Sequence, residues 1–378
     1  VLIFIVIIIG GLGSTLGALI AAKAPLDHVN SLGWTALIEQ ANGWREDLRQ
    51  AGWTVDYRIG ERFGDTVRAW IEEHGIRELR LMEPADRGFR GAIDALDLPV
   101  TLQWLPSTAF LWSREAFAEW AGGYRQLRME LFYREGRRRF GVLMQGEGSG
   151  AEPLGGQWNF DHDNRKPPAK GLQGPEPLWF EPDAITQAVI ARVEQLDQDR
   201  QSQGHHPLPG QLLRFRWAVS RQQALQVLDH FIDTRLEGFG PYQDAMVSGQ
   251  PTLWHALLSP YLNLGLLHPL EVIRALEQRG LERAVPLAGL EGVIRQILGW
   301  REYTHGLYHW FGADYASSNH LGADAPLPPW LEGEGTSGMA CMDTVLAELA
   351  DSGYAHHIQR LMVLANYGLL AGLNPQAF

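Results

Sequence analysis

The chain reads as a wound parallel α/β sheet joined by a long connector to an all-α domain. Three observations predict this. Strand and helix patterns alternate over residues 1–106, glycine and proline crowd residues 107–182, and strand patterns vanish from 183 to 378. Strands separated by helices form parallel ladders, because parallel neighbours need a crossover; the result is a Rossmann-like winding.

The first element is "VLIFIVIIIGGLGSTLGALIAA", twenty-two residues without a charge. A bilayer takes ~20 apolar residues, so the run is long enough to span one. No basic residue precedes it, which leaves the signal-peptide pattern incomplete. The β-branched block followed by "GGLG" also reads as a buried parallel strand and its turn. The alternation downstream needs a first strand here, and a core strand without a membrane is our reading. Next, "WTALIEQANGWREDL" puts Trp34, Leu37, Ile38 and Ala41 on one helical face, and "GWTVDYRIG" alternates Trp53, Val55, Tyr57 and Ile59 as a strand. Then follow helix "DTVRAWIEEHG", strand "RELRLMEP", helix "RGAIDALDL" and strand "VTLQWLP". Glycine spacing as loose as "IIIGGLGSTLG" reads as a structural turn.

The connector carries "MELFYREGRRRFGVLM", with Arg134, Arg137, Arg138 and Arg139 clustered, then "GSGAEPLGGQWNFDHDNRKPPAKG". The second piece is a long irregular loop, and such loops in compact proteins are functional or disordered. Trp158 and Phe160 among Arg165, Lys166 and Lys170 argue for a docked loop. Basic residues interleaved with aromatics suit a phosphate backbone; a solvated helix face and a linker is the plain alternative.

The last region is a succession of helices. "HPLEVIRALEQRG" shows the punctuation, with Pro269 in its first turn and Gly280 past its end. In "GYAHHIQRLMVLANYGLLAG", Ile358, Leu361, Met362, Ala365 and Leu369 recur at helical spacing around His356, His357 and Arg360. A helix apolar almost all round is expected to be buried. Hydrophobic content of 45% and charged content of 20% describe a soluble globular chain of 378 residues. One cysteine, Cys341, excludes an internal disulfide and suits a reducing cytoplasm. The net charge of −12 means that the surface as a whole does not attract nucleic acid, although a local basic groove still can.

"EGFGPYQDAM", "LWHALLSPYLNLGLLHP", "IRQILGWREYTHGLYHW" and "GYAHHIQRLMVLANYGLLAG" follow in this order after "GGQWNFDHDNRKP". Together they resemble the cryptochrome/photolyase superfamily. The resemblance is nearest to its bacterial iron–sulfur branch, the prokaryotic (6-4) photolyases or deoxyribodipyrimidine photolyase-related proteins. It runs from about Trp34 to the end.

The resemblance implies an antenna-type domain over 1–106, a connector with a DNA-facing basic loop over 107–182, and a helical FAD-binding domain over 183–378. It implies flavin contacts from Phe239, Gly240 and Tyr242, from His255, Leu257, Leu258 and Ser259 around the pyrophosphate, from Gln296 and Arg301, and from Arg360 beside the isoalloxazine. Trp300 is expected from the resemblance to face the lesion, where an aromatic plane stacks on an extruded base; packing with Val293, Ile297, Thr304 and Leu307 is its plain alternative. By the same resemblance, Arg137, Arg138, Arg139, Trp158, Arg165 and Lys166 are expected to face UV-damaged DNA. The resemblance further implies that His357, with His356 beside it, supplies the proton that (6-4) repair needs after light drives an electron into the lesion. Histidine suits this because its unperturbed pKa of ~6.5 lets it give and regain a proton near neutrality.

Cys341 matches the first of four ligands to a [4Fe–4S] cluster, which requires four thiolates. The expectation is a fragment of a longer cluster protein; a buried thiol is the alternative. The chain departs from the family at its amino end, where "GGLGSTLG" and a shortened "AAKAPLDHVN" replace the expected motif and antenna pocket. The resemblance therefore does not extend to a ribityllumazine antenna. No protein partner is implied, and the parent is expected to be a monomer. Two rivals stay open: a blue-light receptor without repair activity, and a helical interaction module without cofactor.

Overall fold

A computed structural model describes residues 4–9, 49–50, 52, 54–60, 63–146, 148–205, 207–208 and 210–378. Strand β1 (Phe4–Ile9) pairs in parallel with β2 (Val55–Gly60), from Phe4 opposite Val55 to Ile9 opposite Gly60. The apolar opening thus contains a strand, and no helix among the described residues is long and apolar enough to cross a membrane. After β2 come α1 (Phe63–His74), β3 (Glu78–Met82), α2 (Arg87–Asp94) and β4 (Thr101–Leu105). β3 and β4 are parallel, with α2 as the crossover between them. Asp86 opens α2 by accepting the Phe89 N–H at 2.6 Å, which satisfies a donor the helix leaves orphaned. Val67, Trp70 and Ile71 of α1 are buried against Phe63, Ile76, Leu98 and Val100.

The strands and helices expected between residues 54 and 105 are therefore present. One continuous sheet is not: among the described residues the strands form two separate parallel pairs, with no ladder between β2 and β3. The glycine-rich "GGLGSTLG", the segment "AAKAPLDHVN" and the helix expected over "WTALIEQANGWREDL" lie outside the described residues.

The chain continues through α3 (Arg114–Gly122), α4 (Met129–Phe140) and the short antiparallel pair β5 (Met144–Gln145) and β6 (Glu152–Pro153), then α5 (Ala184–Ser202). Beyond α5 come α6 (Arg221–His230), α7 (Leu236–Tyr242), α8 (Ser259–Asn263), α9 (Pro269–Glu282), α10 (Leu287–Ile294), α11 (Glu302–Phe311), α12 (Ala340–Ser352) and α13 (Asn366–Leu370). Backbone contacts divide the chain into two units. One is Val1–Ala109 with Trp179–Ala224, and the other is Phe110–Leu178 with Leu225–Phe378.

Within the second unit, Trp112, Phe117, Trp120, Phe132 and Tyr303 form an aromatic core. Gly306 is what lets α11 approach it, since a Cβ there would lie 2.0 Å from the Phe117 ring. Buried Glu302 accepts the backbone N–H groups of Leu111 (2.8 Å) and Trp112 (3.1 Å), tying the start of this unit to α11. Helices α7 and α10 meet at Gly240 and Gly289: a Cβ on Gly240 would sit 2.5 Å from the Gly289 Cα. Among the described residues, π-helical turns interrupt the helices at Phe231–Arg235, Arg295–Arg301 and Gln359–Ala365. Such turns concentrate at functional sites because they displace side chains from the regular helical face.

The helical run around Gln359–Ala365 is not buried all round. Leu361 and Met362 are each 58% exposed and Leu369 is 61% exposed. Apolar residues circle this helix, but only one side of it meets protein among the described residues.

Candidate functional site

The centre of the site is built by the first π turn. Arg235 is buried and donates from Nε to the His255 carbonyl at 3.0 Å and from its terminal nitrogens to the carbonyls of Pro175, Thr252 and Leu253. Burial lowers its pKa to about 10, which still leaves it charged at neutral pH. This cation pins the segment before α8, where Leu253 and Leu257 take left-handed φ angles of 37° and 56°. His255 is held there, with its ring stacked on His356 at 4.5 Å and 15° and edge-on to His357 at 5.5 Å. Phe239 closes the other edge of His255.

The two adjacent histidines have different surroundings. His356 is buried; its N–H donates to Gln359 Oε1 at 3.1 Å and its Nδ1 faces the Gln359 N–H at 3.4 Å. It caps the following helical turn. Burial, with the charges of His357 and Arg360 added, pushes its pKa down to about 4, and burial pushes His255 well below the usual range. Both rings are therefore neutral at neutral pH. His356 does not open outward, which removes it from the lesion-facing pair. His357 is half-exposed, and its Nε2 lies 3.3 Å from Asp244 Oδ1.

Asp244 joins this cluster to the connector loop. Its other oxygen lies 4.0 Å from Arg165 Nε, and Arg165 also bonds Asp161. Asp161 is held by buried Arg295 at 2.9 Å, and Arg295 reaches Glu291 at 3.1 Å. The loop is docked, as its aromatics suggested. The Phe160 N–H donates to Glu291 (3.0 Å), Asn164 donates to the Ala288 carbonyl (2.7 Å), and the Lys166 N–H donates to the Pro241 carbonyl (3.0 Å). Asp244, Arg235 and Arg295 were not singled out from the sequence. Asp244 pairs with Arg165 and His357, Arg295 reaches Asp161 across 134 positions, and Arg235 holds backbone carbonyls, none of which is a contact that local spacing displays.

The basic run of α4 splits. Arg138 and Arg139 are exposed, with Arg138 over the Trp158 ring at 4.5 Å and Arg139 over Trp112 at 4.7 Å. Arg137 is fully buried and donates to the carbonyls of Val142, Leu143, Gln157 and Trp158. It cannot face DNA, because its donors are taken by backbone carbonyls and no part of it reaches solvent.

Several expected flavin contacts are likewise occupied by protein. Gly240 faces Gly289 and Asn164, and the side chains of Leu257 and Leu258 are buried. Tyr242 packs on Trp254 at 4.9 Å. Arg301 donates to Glu302 and to the Leu262 carbonyl, each at 3.2 Å, and lies 4.1 Å over the Phe110 ring. Ser259 remains exposed at the start of α8, Gln296 is half-buried, and Arg360 is exposed, as are Leu361 and Met362 after it. Trp300 is 46% exposed and meets Tyr303 edge-on at 6.3 Å, so core packing does not account for it. A cavity of about 290 Å³ lined by Asn319, Leu321, Leu369, Leu373 and Phe378 contains none of the predicted residues.

A flavin fits part of this set. The exposed guanidinium of Arg360 suits a planar ring that carries negative charge. The buried Nε2 of His255 has no hydrogen-bond partner among the described residues, and such an atom calls for one. A [4Fe–4S] cluster does not fit. Cys341 is the one cysteine of the chain and is exposed in the first turn of α12, so it is not a buried thiol either. Among the described residues no three His, Cys, Asp or Glu side chains gather to hold a metal ion.

The fold is that of the photolyases. The chain superposes on the crystal structure of a bacterial class III photolyase from Agrobacterium tumefaciens with a TM-score of 0.59 and 18% identity, over 98% of this chain and 73% of that one. More narrowly, residues 39–215 match the model of the deoxyribodipyrimidine photo-lyase-related protein family. A (6-4) photolyase of Agrobacterium fabrum is 41% identical over 343 residues, which are 88% of this chain and 64% of that protein. An uncharacterized protein of Acanthamoeba polyphaga mimivirus is 36% identical over 74 residues, 19% of this chain and 57% of that protein. The chain thus spans less than two thirds of the length of either relative.

Proposed function

We propose that this chain is the flavin-holding and DNA-facing part of a light-dependent repair enzyme that reverses UV-induced (6-4) pyrimidine photoproducts. The observation that carries the reading is the ion-paired line from His357 through Asp244 to Arg165, which sets a half-exposed imidazole beside an exposed cation of the basic loop. A substrate that pairs its phosphates with Arg165, Lys166 and Arg138 brings its bases toward His357. Polyanion binding by such cations is electrostatic and independent of sequence.

Bound FAD, in its reduced form, supplies the light-driven electron. Ser259, Gln296 and Arg360 are the residues that hold it, with the free Nε2 of His255 as an additional partner. His357 holds and moves the proton. Neutral His255 and His356 add no competing cation beside it and wall the ring on one side with apolar contact. Trp300 offers an exposed indole plane for an extruded base.

The test is His357→Ala in the full-length, flavin-loaded protein, assayed on an oligonucleotide with one (6-4) photoproduct. Repair is expected to be lost while flavin content and photoreduction stay close to wild type. Unchanged repair rejects the proton-donor role. A wild-type protein that photoreduces flavin but repairs nothing makes it a receptor. A colourless protein that releases no flavin on denaturation makes it an interaction module.

A further inference from the structure

We infer that Asp244 is a positioning residue for His357. It keeps one ring proton on Nε2, leaves Nδ1 as the atom that gives and regains the catalytic proton, and is shared with Arg165 until DNA takes that arginine. The inference rests on the reading of His357 as the proton donor.

The tautomer follows from the contact. Asp244 Oδ1 lies 3.3 Å from His357 Nε2. An ionised carboxylate only accepts, so the hydrogen between them belongs to Nε2. The second proton of the imidazolium then comes and goes at Nδ1, as it does wherever a partner fixes one ring nitrogen. The other groups facing this ring are His255 at 5.5 Å and His356 at 6.4 Å, both held neutral by burial, so neither offers it a counter-charge.

The sharing follows from an asymmetry between two aspartates. Arg165 touches both Asp161 and Asp244. Asp161 also holds buried Arg295 at 2.9 Å and keeps a cation if Arg165 departs. Asp244 has His357 instead. When a phosphate draws off the exposed Arg165 side chain, the Asp244 carboxylate is left to the imidazole alone. The proton passes from Nδ1 to the lesion and returns to Nδ1. Reverting the photoproduct to two pyrimidines is an isomerisation, so no net proton or electron is consumed.

The experiment compares wild type, Asp244→Asn, Asp244→Glu and Arg165→Gln in the full-length protein. In the dark and without DNA, 15N spectra of labelled histidine, with the His357 signals assigned by their loss in His357→Ala, are expected to show the Nε2–H tautomer in wild type and a mixture in Asp244→Asn. Repair by Asp244→Asn is expected to fall roughly 10²-fold, and the alkaline limb of its pH–rate profile to move to lower pH, because the imidazolium has lost its counter-charge. Asp244→Glu is expected to recover most of both. Arg165→Gln is expected to reduce the slope of log affinity against log salt by about 1. A wild-type His357 protonated at Nδ1, or an Asp244→Asn protein with wild-type tautomer and pH profile, overturns the inference. A null result there with inactive His357→Ala sinks this proposal alone, whereas active His357→Ala rejects the proton-donor role on which it rests.

Discussion

Arg137→Met tests how the basic run of α4 divides. Arg137 is fully buried, and its guanidinium donates to the Trp158 carbonyl at 2.7 Å, to the Leu143 carbonyl, and at 3.3 Å to those of Val142 and Gln157. A hydrogen bond to a charged group contributes ~1.5–3 kcal/mol. Counting only the two close ones, the loss is roughly 3–6 kcal/mol. Methionine fills the volume but leaves backbone carbonyls buried without donors, so nothing offsets the loss. In a unit of about 220 residues, each kcal/mol moves Tm by ~2–4 °C, so a shift of roughly 10 °C is expected in circular-dichroism melts. Arg138→Ala is the control. Arg138 is exposed, pairs with Glu135 at 3.7 Å and lies over Trp158, so its removal should cost about 0–1 kcal/mol. It should instead weaken binding to duplex DNA and flatten the salt dependence by about one phosphate contact. If Arg137→Met unfolds within about 1 kcal/mol of wild type by urea titration, the buried tether is wrong.

Gly240→Ala puts a Cβ 2.5 Å from the Gly289 backbone and 2.8 Å from Asn164 Oδ1; overpacking of this kind costs ~1–3 kcal/mol, and a melt identical to wild type would refute the α7–α10 contact. Burial pushes the Glu302 carboxyl up to about 7. The folded chain then binds a proton that the unfolded chain has lost above ~4.3, so this group makes stability fall as pH rises from there to about 7. His305, pushed down to about 3 by burial, acts with the opposite sign over a range that begins lower. The difference between wild type and Glu302→Gln in urea titrations from pH 4 to 8 isolates Glu302, and a flat difference would remove its role. Arg360→Ala should leave unfolding unchanged, because the side chain is exposed, yet lower the flavin retained through gel filtration; full retention would take Arg360 out of the cradle.

Much of the first third was legible. Amphipathic α1 and the strand–helix–strand of β3, α2 and β4 follow from local apolar spacing, and local spacing is what a sequence displays. The docking of the 155–167 loop was legible for a different reason, since Trp158 and Phe160 have no place in a solvated linker. The burial of the last helix was misjudged, because apolar composition states what a helix is able to bury and not whether protein lies against it. Of the paired histidines, nothing in "HH" distinguishes the capping ring of His356 from the half-exposed ring of His357.

By itself the sequence determined the α/β beginning, the helical remainder and the motifs on which the proposed function rests. Only the tertiary structure decided which charges are available. Arg137 and Arg138 are neighbours of one type, yet four carbonyls bury the first and solvent holds the second. Asp244 became part of the site only because folding set it between His357 and Arg165. Charge pairing depends on distance in space, and residues separated by 79 and by 113 positions along the chain leave no local trace of it.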